Sequence, residues 1–517
     1  MPAMPRRPRL SAAANDSGVK IDSGVVRTID SGVVRVIHSG VVRGALTACA
    51  LLAAAGCGLK SPPSHESIKA QALTAATVPA QWTAAALTTG SMSDNWLAGF
   101  HDDQLTAVVA EAIAHNADLR VGAARVEQAV LYAKLAGAAL QPSADLLAKG
   151  GGKMSGDGSG LKGAVLSVSW ELDLWGRIRY GRAAATADAA AAAADFEFAR
   201  QSIAALVARS WFVAIEAGLQ AEIAHGALRD NEVLVRLAED RARVGVGNEE
   251  DVFVARSGLG TYEDTLRQLE LSRVQAIRAI EILAGHYPAA ALNVATTLPT
   301  APETMPAGLP SELLERRPDV IAAERRVAAA FNRIGEAKAA RLPRISLTTG
   351  VSSISSDLFV LNDRDNPIWN LGASLLAPLY RGGALKTQVE IRTSEQKQAI
   401  AAYAGVGLRA FGEVEDALAS ELAARDREKI LVRTLADSQR ALEIVQSQFK
   451  VGSTDLRFVT QRQLALNSTQ SALIRAQSEQ RVQRVNLHLA LGGSFEARSP
   501  APPAPPVAPV PPPPATP

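Results

Sequence analysis

Aromatic side chains are scarce in this 517-residue chain: 11 Phe, 6 Trp and 6 Tyr, or 4% of residues. A conventional core draws on aromatic and branched side chains, so the scarcity argues against one. Cysteine is rarer still. The two present, Cys49 and Cys57, lie near the N-terminus, which leaves no internal disulfide framework and no Cys-ligated metal site. Neither sign of charge dominates, with 54 Lys+Arg against 52 Asp+Glu. That excludes nucleic-acid binding through bulk charge, and no nucleic-acid partner is expected. Beyond the N-terminal region no apolar run of 18 residues stands out, so no transmembrane helix is expected in the mature chain. The seven His show no metal-binding spacing, and GxSxG and Walker motifs are absent. No metal, cofactor or catalytic residue is expected, and energy for any transport must come from a partner. What is plentiful is Ala, with Leu, Glu, Gln and Arg: the composition of long helices packed through small side chains.

The chain opens on a degenerate repeat, DSGVK, DSGVVR, DSGVVR and HSGVVR, beginning at Asp16, Asp22, Asp30 and His38. Units so short and polar build no core and read as a non-structural leader. Arg43, the apolar run Gly44–Gly56 and Cys57 follow in the order of a secretory signal. LAAAGC, Leu52 to Cys57, resembles a bacterial lipobox, in which the Cys thiol receives a diacylglycerol and becomes the new N-terminus. Cys57 is therefore the expected lipidation site, and Gly58 in place of Asp favours the outer membrane. At the other end, eleven of the residues from Pro500 to Pro517 are proline, a polyproline-type tail without a core. The expected organisation is a leader and signal (1–57), a periplasmic linker (58–94), a first repeat (95–300), a second repeat (301–492) and a disordered Pro-rich tail (493–517).

The two repeats are about 205 residues apart. SVSWELDLWGRIRYG from Ser167 matches GASLLAPLYRGGALKTQ from Gly372 in pattern: alternating strand, aromatic, Gly turn, basic helix start. RARVGVGNEEDVFVARSGL from Arg241 matches QSQFKVGSTDLRFVTQRQL from Gln446. Gly247 and Gly452 read as C′ glycines, and Asn248 and Ser453 as N-caps of the helices that follow. Helices without proline are expected over 178–243 and 384–450, each about 100 Å long. Their antiparallel partners are expected over 250–284 and 455–491, in coiled-coil fashion.

Two strand hairpins are expected over 143–175 and 343–380. Leu166, Val168, Trp170, Leu172 and Leu174 alternate with Ser167, Ser169, Glu171, Asp173 and Trp175. Strands of about ten residues suit a tilted membrane crossing. Trp175 and Tyr380 stand at matching strand ends, where an interfacial aromatic belt would lie. Glu171 and Asp173 read as lumen charges, not as a catalytic dyad. Glu315–Arg317 and Glu324–Arg326 read as helix-surface ion pairs. A strand in lipid cannot leave an edge unpaired, and four strands cannot close a barrel. The protomer must therefore share one with copies of itself. The expected fold is mainly α with a small β part: a helical tunnel plus a four-strand share of a membrane barrel.

At these residues the chain resembles the TolC-like outer membrane efflux protein family, in its lipoprotein branch serving resistance-nodulation-division pumps. WELDLWGRIR (Trp170–Arg179) is the most specific match, followed by LPSELLERRPDVIAAERRVAAAFNRIGEAKAARLPRISL from Leu309. NWLAGFHDDQL, HNADLRVGAARVEQA and YAGVGLRAFGEVEDALA extend the resemblance to about 80–492. It implies a homotrimer with a twelve-strand barrel, docked to a periplasmic membrane-fusion adaptor and through it to an inner membrane transporter. It also implies that Val244, Gly245, Val246, Gly247 and Asn248, with Val451, Gly452, Ser453 and Thr454, form the periplasmic tip and adaptor grooves. Gln461 stands where the family often carries a constricting Asp. The gate then falls to Asp455, or to apolar packing of Phe449 and Phe458. Two other readings remain at this point: a duct for protein export with an ABC transporter, and a lipid-anchored coiled-coil scaffold without a pore.

Overall fold

The structure is a computed structural model that describes residues 59–74, 78–84, 94–149, 162–301, 310–355 and 368–496. The leader, Cys57, the loops that join each hairpin and the tail from 497 lie outside the described residues. The elements run in two parallel series. The first is α2 (Asp103–His115), α3 (Ala117–Ala138), β1 (Ser143–Lys149), β2 (Lys162–Leu172), α4 (Arg177–Arg243) and α5 (Glu249–Leu283). The second is α6 (Pro310–Arg316), α7 (Pro318–Ala339), β3 (Arg344–Ser355), β4 (Ile368–Leu376), α8 (Ala384–Lys450) and α9 (Leu456–Ala490). A short helix, α1 (His65–Ala72), precedes both. The lengths repeat: α4 and α8 have 67 residues each, and α5 and α9 have 35 each.

Why such long helices hold is visible in what they bury. More than half of the buried residues of α4 are alanines, among them Ala204, Ala205, Ala208, Ala214, Ala221 and Ala224. Small side chains let neighbouring helices approach closely. One apolar stretch of α4 is long and apolar enough to cross a membrane, with a mean hydropathy of 1.4, which the sequence reading had not expected. Half of that stretch is buried inside the protein. Along α4, Trp211, Phe212 and Ile215 anchor a core with Trp96, Phe100, Leu105 and Val109. The Trp211 indole N–H donates to Asp102 Oδ2 at 2.9 Å, while Asp102 Oδ1 caps α2 at the Leu105 N–H, also 2.9 Å. A second core joins α1, α6, α7, α8 and α9 through Ile68, Leu314, Val320, Tyr403 and Leu487.

The hairpins do not stand apart. β2 pairs with β3 from Lys162↔Ser355 to Leu172↔Ile345, giving one antiparallel sheet in the order β1-β2-β3-β4. β4 ends at Leu376, so Leu379 and Tyr380 lie beyond it. β2 ends at Leu172, so Asp173, Leu174 and Trp175 belong to the turn into α4.

Several cap and boundary expectations are corrected. The left-handed C′ residue after α4 is Gly245 (φ 78°), not Gly247. Gly452 (φ 79°) holds that role after α8, as expected. Each end closes as a Schellman motif: the Val246 N–H reaches Arg241 O and the Ser453 N–H reaches Gln448 O, both at 3.0 Å. Asn248 caps α5, its side chain accepting from the Asp251 N–H at 2.7 Å. Asp455, not Ser453, occupies the N-cap position of α9. The doubled Val-Gly of the first turn concealed this register, because VGVG aligns with VGST in two ways. The 58–94 stretch is more than a linker: Ile68 and Trp82 are buried, and Glu415 accepts the Thr83 and Ala84 N–H groups at 2.8 Å each. The tail begins later than 493, since the Asn95 N–H donates to Ser494 O and Phe495 is buried. Arg317 is no surface residue. It is buried, pairs with Asp319 at 2.9 Å and Glu413 at 2.6 Å, and donates to Ala490 O.

Candidate functional site: a two-faced sheet and a helical tip

The register sorts the sheet into two unlike faces. On one face, Leu146, Leu166, Val351 and Trp369 form a row across all four strands. Ala144, Val168, Thr349 and Leu371 form the next, followed by Trp170–Leu347–Ala373 and Leu172–Ile345–Leu375. The opposite face carries Asp145–Ser167–Gly350–Asn370, Ser143–Ser169–Thr348–Gly372 and Glu171–Ser346–Ser374, with one largely apolar row, Leu147–Val165–Ser352–Ile368, towards the hairpin loops. Among the described residues nothing covers the apolar face: Trp369 is 76% exposed and Leu371 86%. A soluble sheet buries such a face, whereas a barrel stave gives it to lipid and turns the polar face to water. The outer edges of β1 and β4 have no strand partner among the described residues. α3 adds more uncovered apolar surface, with Val121, Leu131, Tyr132 and Leu135 all exposed.

Where the sheet meets the helices, charge is held locally. Glu171 takes a two-oxygen pairing from Arg177, with Nη2 contacts at 3.0 and 2.9 Å. The Asp173 carboxylate accepts the Ile178 N–H at 3.1 Å and the Arg179 N–H at 2.8 Å. It therefore serves the unsatisfied donors at the start of α4. This is a structural duty that the lumen reading of Asp173 did not foresee. Trp175 is half-buried, and its indole N–H donates to Pro343 O at 2.7 Å, stitching the end of β2 to the start of β3. Tyr380 is 88% exposed.

The far ends of the long helices make the tip. Val244, Val246 and Val451 are exposed there, around Gly245 and Gly452. Gly247 packs against the Arg241 backbone, where an added Cβ would lie 2.9 Å from Arg241 Cβ. The first turn of α5 carries Glu249, Glu250 and Asp251, complementing its helix dipole. Across the tip, Arg457 of α9 reaches Glu250 at 3.6 Å, a link between the repeats that no sequence spacing announced. The gate candidates separate. Phe449 is 6% exposed and packs with Ala238, Ala255, Leu442 and Leu456 inside the coil. The Arg241 guanidinium sits 4.8 Å from its ring centroid. Phe458 is 52% exposed and does not join that core. Asp455 and Gln461 are exposed, and the Asp455 side chain makes no capping bond.

An uncovered two-faced sheet joined to paired 67-residue helices defines a class: the protomer of a barrel-and-tunnel channel. The family model described as "Outer membrane efflux protein" matches residues 108–286 and 309–493. The chain belongs to that family, and it is an outer membrane protein. It is 31% identical over 479 residues to "Pyoverdine export outer membrane protein OpmQ" of Pseudomonas aeruginosa, covering 87% of this chain and 96% of that protein. It is 28% identical over 462 residues to "Cation efflux system protein CusC" of Escherichia coli K12, covering 87% and 98%. Among solved structures, the outer-membrane channel OprN matches with a TM-score of 0.74 at 27% identity, covering 84% of this chain and 99% of that one.

Proposed function

We propose that three copies of this chain pool their sheets into a twelve-strand barrel and their helices into a tunnel. The assembly is the outer membrane duct of a tripartite efflux system. The observation that carries this reading is the sheet itself: a lipid-type face left bare and two edges left open. An open strand edge in hydrocarbon costs several kcal/mol for each unsatisfied group, so β1 of one copy must meet β4 of the next. The apolar flank of α3 is buried in the same step.

In this reading, Cys57 carries the lipid anchor and the tunnel stands in the periplasm. The tip turns, 244–248 and 451–454, dock a membrane-fusion adaptor, which links the duct to an inner membrane transporter of the resistance-nodulation-division type. The duct performs no chemistry; cargo is driven by the transporter. With Phe449 committed to the coil core, the constriction rests on Asp455 and Phe458, and the Arg457–Glu250 pair latches the tip across the repeats. The test is conductance in planar bilayers. The purified wild-type protein is expected to conduct weakly, and Asp455→Ala with Arg457→Ala to conduct severalfold more. Zero current in both, and still zero when the tip turns are deleted, would instead favour the pore-less scaffold. Co-purification of a membrane-fusion adaptor with the tip intact, lost on Val451→Asp, checks the docking assignment and separates efflux from protein export.

A further inference from the structure

We propose that His65, Glu66 and Glu315 form a binding site for a divalent transition-metal ion, with Zn²⁺ as the probe. The ion would fasten α1 to α6. His65 offers a ring nitrogen and the two glutamates a carboxylate oxygen each, all three atoms within 4.8 Å of one another. The residues come from segments some 250 positions apart, so no sequence spacing shows the set.

The imidazole is already prepared for a metal. Its Nδ1 is 2.8 Å from Glu324 Oε2. A carboxylate on one ring nitrogen keeps the proton there and leaves the lone pair on the other, an arrangement common behind metal-bound histidines. His65 Nε2 is buried and has no hydrogen-bond partner. The charge balance points the same way. Glu66, Glu315 and Glu324 gather here, and Lys69 stands near Glu66, at 3.8 Å. The adjacent arginines are turned to other partners: Arg316 to Asp94 at 3.6 Å, and Arg317 to Asp319 and Glu413. The Tyr403 hydroxyl is fully buried without a hydrogen-bond partner. Burial first, then the charges of Glu324 and Glu66, push that phenol up to about 12.

Imidazole with carboxylates suits zinc and its neighbours rather than calcium. Metal–ligand bonds of about 2 Å place donor atoms roughly 3–4 Å apart. Glu66 and Glu315 are exposed and can swing that distance, and water supplies the remaining position. The consequence is mechanical. α1 lies just downstream of the expected lipid anchor, and the ion would hold that segment against the helical body alongside the buried Ile68.

The test uses the full chain, extracted in detergent, stripped with EDTA and titrated calorimetrically with Zn²⁺. One micromolar or tighter site per chain is expected. His65→Ala and Glu315→Gln should each weaken it by at least about tenfold, and Glu324→Gln, acting through the ring, by a similar or smaller factor. Trypsin cleavage after Lys69 should slow when Zn²⁺ is added to the wild type and not to Glu315→Gln. His65→Ala also removes the Glu324 contact and could loosen α1 by itself; the exposed Glu315 separates that effect from ligation. Absence of saturable Zn²⁺ binding, or binding that Glu315→Gln and His65→Ala leave unchanged, overturns the site. Binding without protection of Lys69 overturns the fastening role.

Discussion

His488 shows how a single side chain ties the fold to pH. It lies fully inside the helical body, stacked on Trp96 with ring centroids 5.6 Å apart. Burial, and secondarily the Arg484 charge, push its imidazole down to about 3. The folded protein keeps it neutral, whereas the unfolded chain protonates as pH falls through about 6.5. The unfolded state then binds more protons, so stability declines as pH drops from about 6.5 towards 3. Thermal unfolding followed between about pH 7 and pH 5 should show this decline in the wild type. The slope should be shallower in His488→Phe, which keeps the stack without the titration. One turn away, Arg484 pairs with Glu421, which also takes Arg425 at 3.0 Å. Replacing one partner of a buried pair leaves the other uncompensated, so Glu421→Gln should cost about 3–5 kcal/mol in denaturant unfolding. Apart from Glu421–Arg425, an i,i+4 pair on one helix, these pairings were not legible in the sequence. They join residues whose separation carries no periodic signal, as Arg317 also shows: its neighbours suggested a surface pair, and its partners, Glu413 and Ala490 O, come from other helices.

Elements were more legible than residues, because their signals are local. The absence of proline and the doubled Val-Gly turns gave the bounds of α8 to the residue and of α4 to within one. Alternation gave all four strands, but the β2–β3 pairing is a contact between repeats and was not visible in either one. The tip register slipped because two glycines competed for one left-handed position. Gly245 and Gly452 have open space around them, so substitution acts through the backbone alone. Gly452→Ala should therefore cost about 1 kcal/mol, read as a lowered melting temperature. Gly335 is the opposite case. A Cβ there would lie 2.6 Å from the Tyr180 ring, where α4 and α7 press together. Tyr180 is itself held by the Lys60 N–H, which donates to its hydroxyl at 2.9 Å. Gly335→Val should destabilise by about 1–3 kcal/mol and free the N-terminal segment to proteolysis.

For the whole molecule, four strands are too few to close a barrel, and their register gives them one apolar and one mostly polar face. The membrane then needs two attachments, barrel and lipid. Cys57→Ser should abolish palmitate labelling while leaving partial assembly, since the pooled sheet holds the bilayer on its own. Labelling that persists in Cys57→Ser would remove the lipobox from the account. The central claim is that one chain is an incomplete wall. Its most direct test is the native mass of the wild-type protein extracted from membranes in mild detergent. Three chains per particle is the predicted result. A stable particle holding one chain, with its sheet intact, would contradict the shared barrel and the duct built on it.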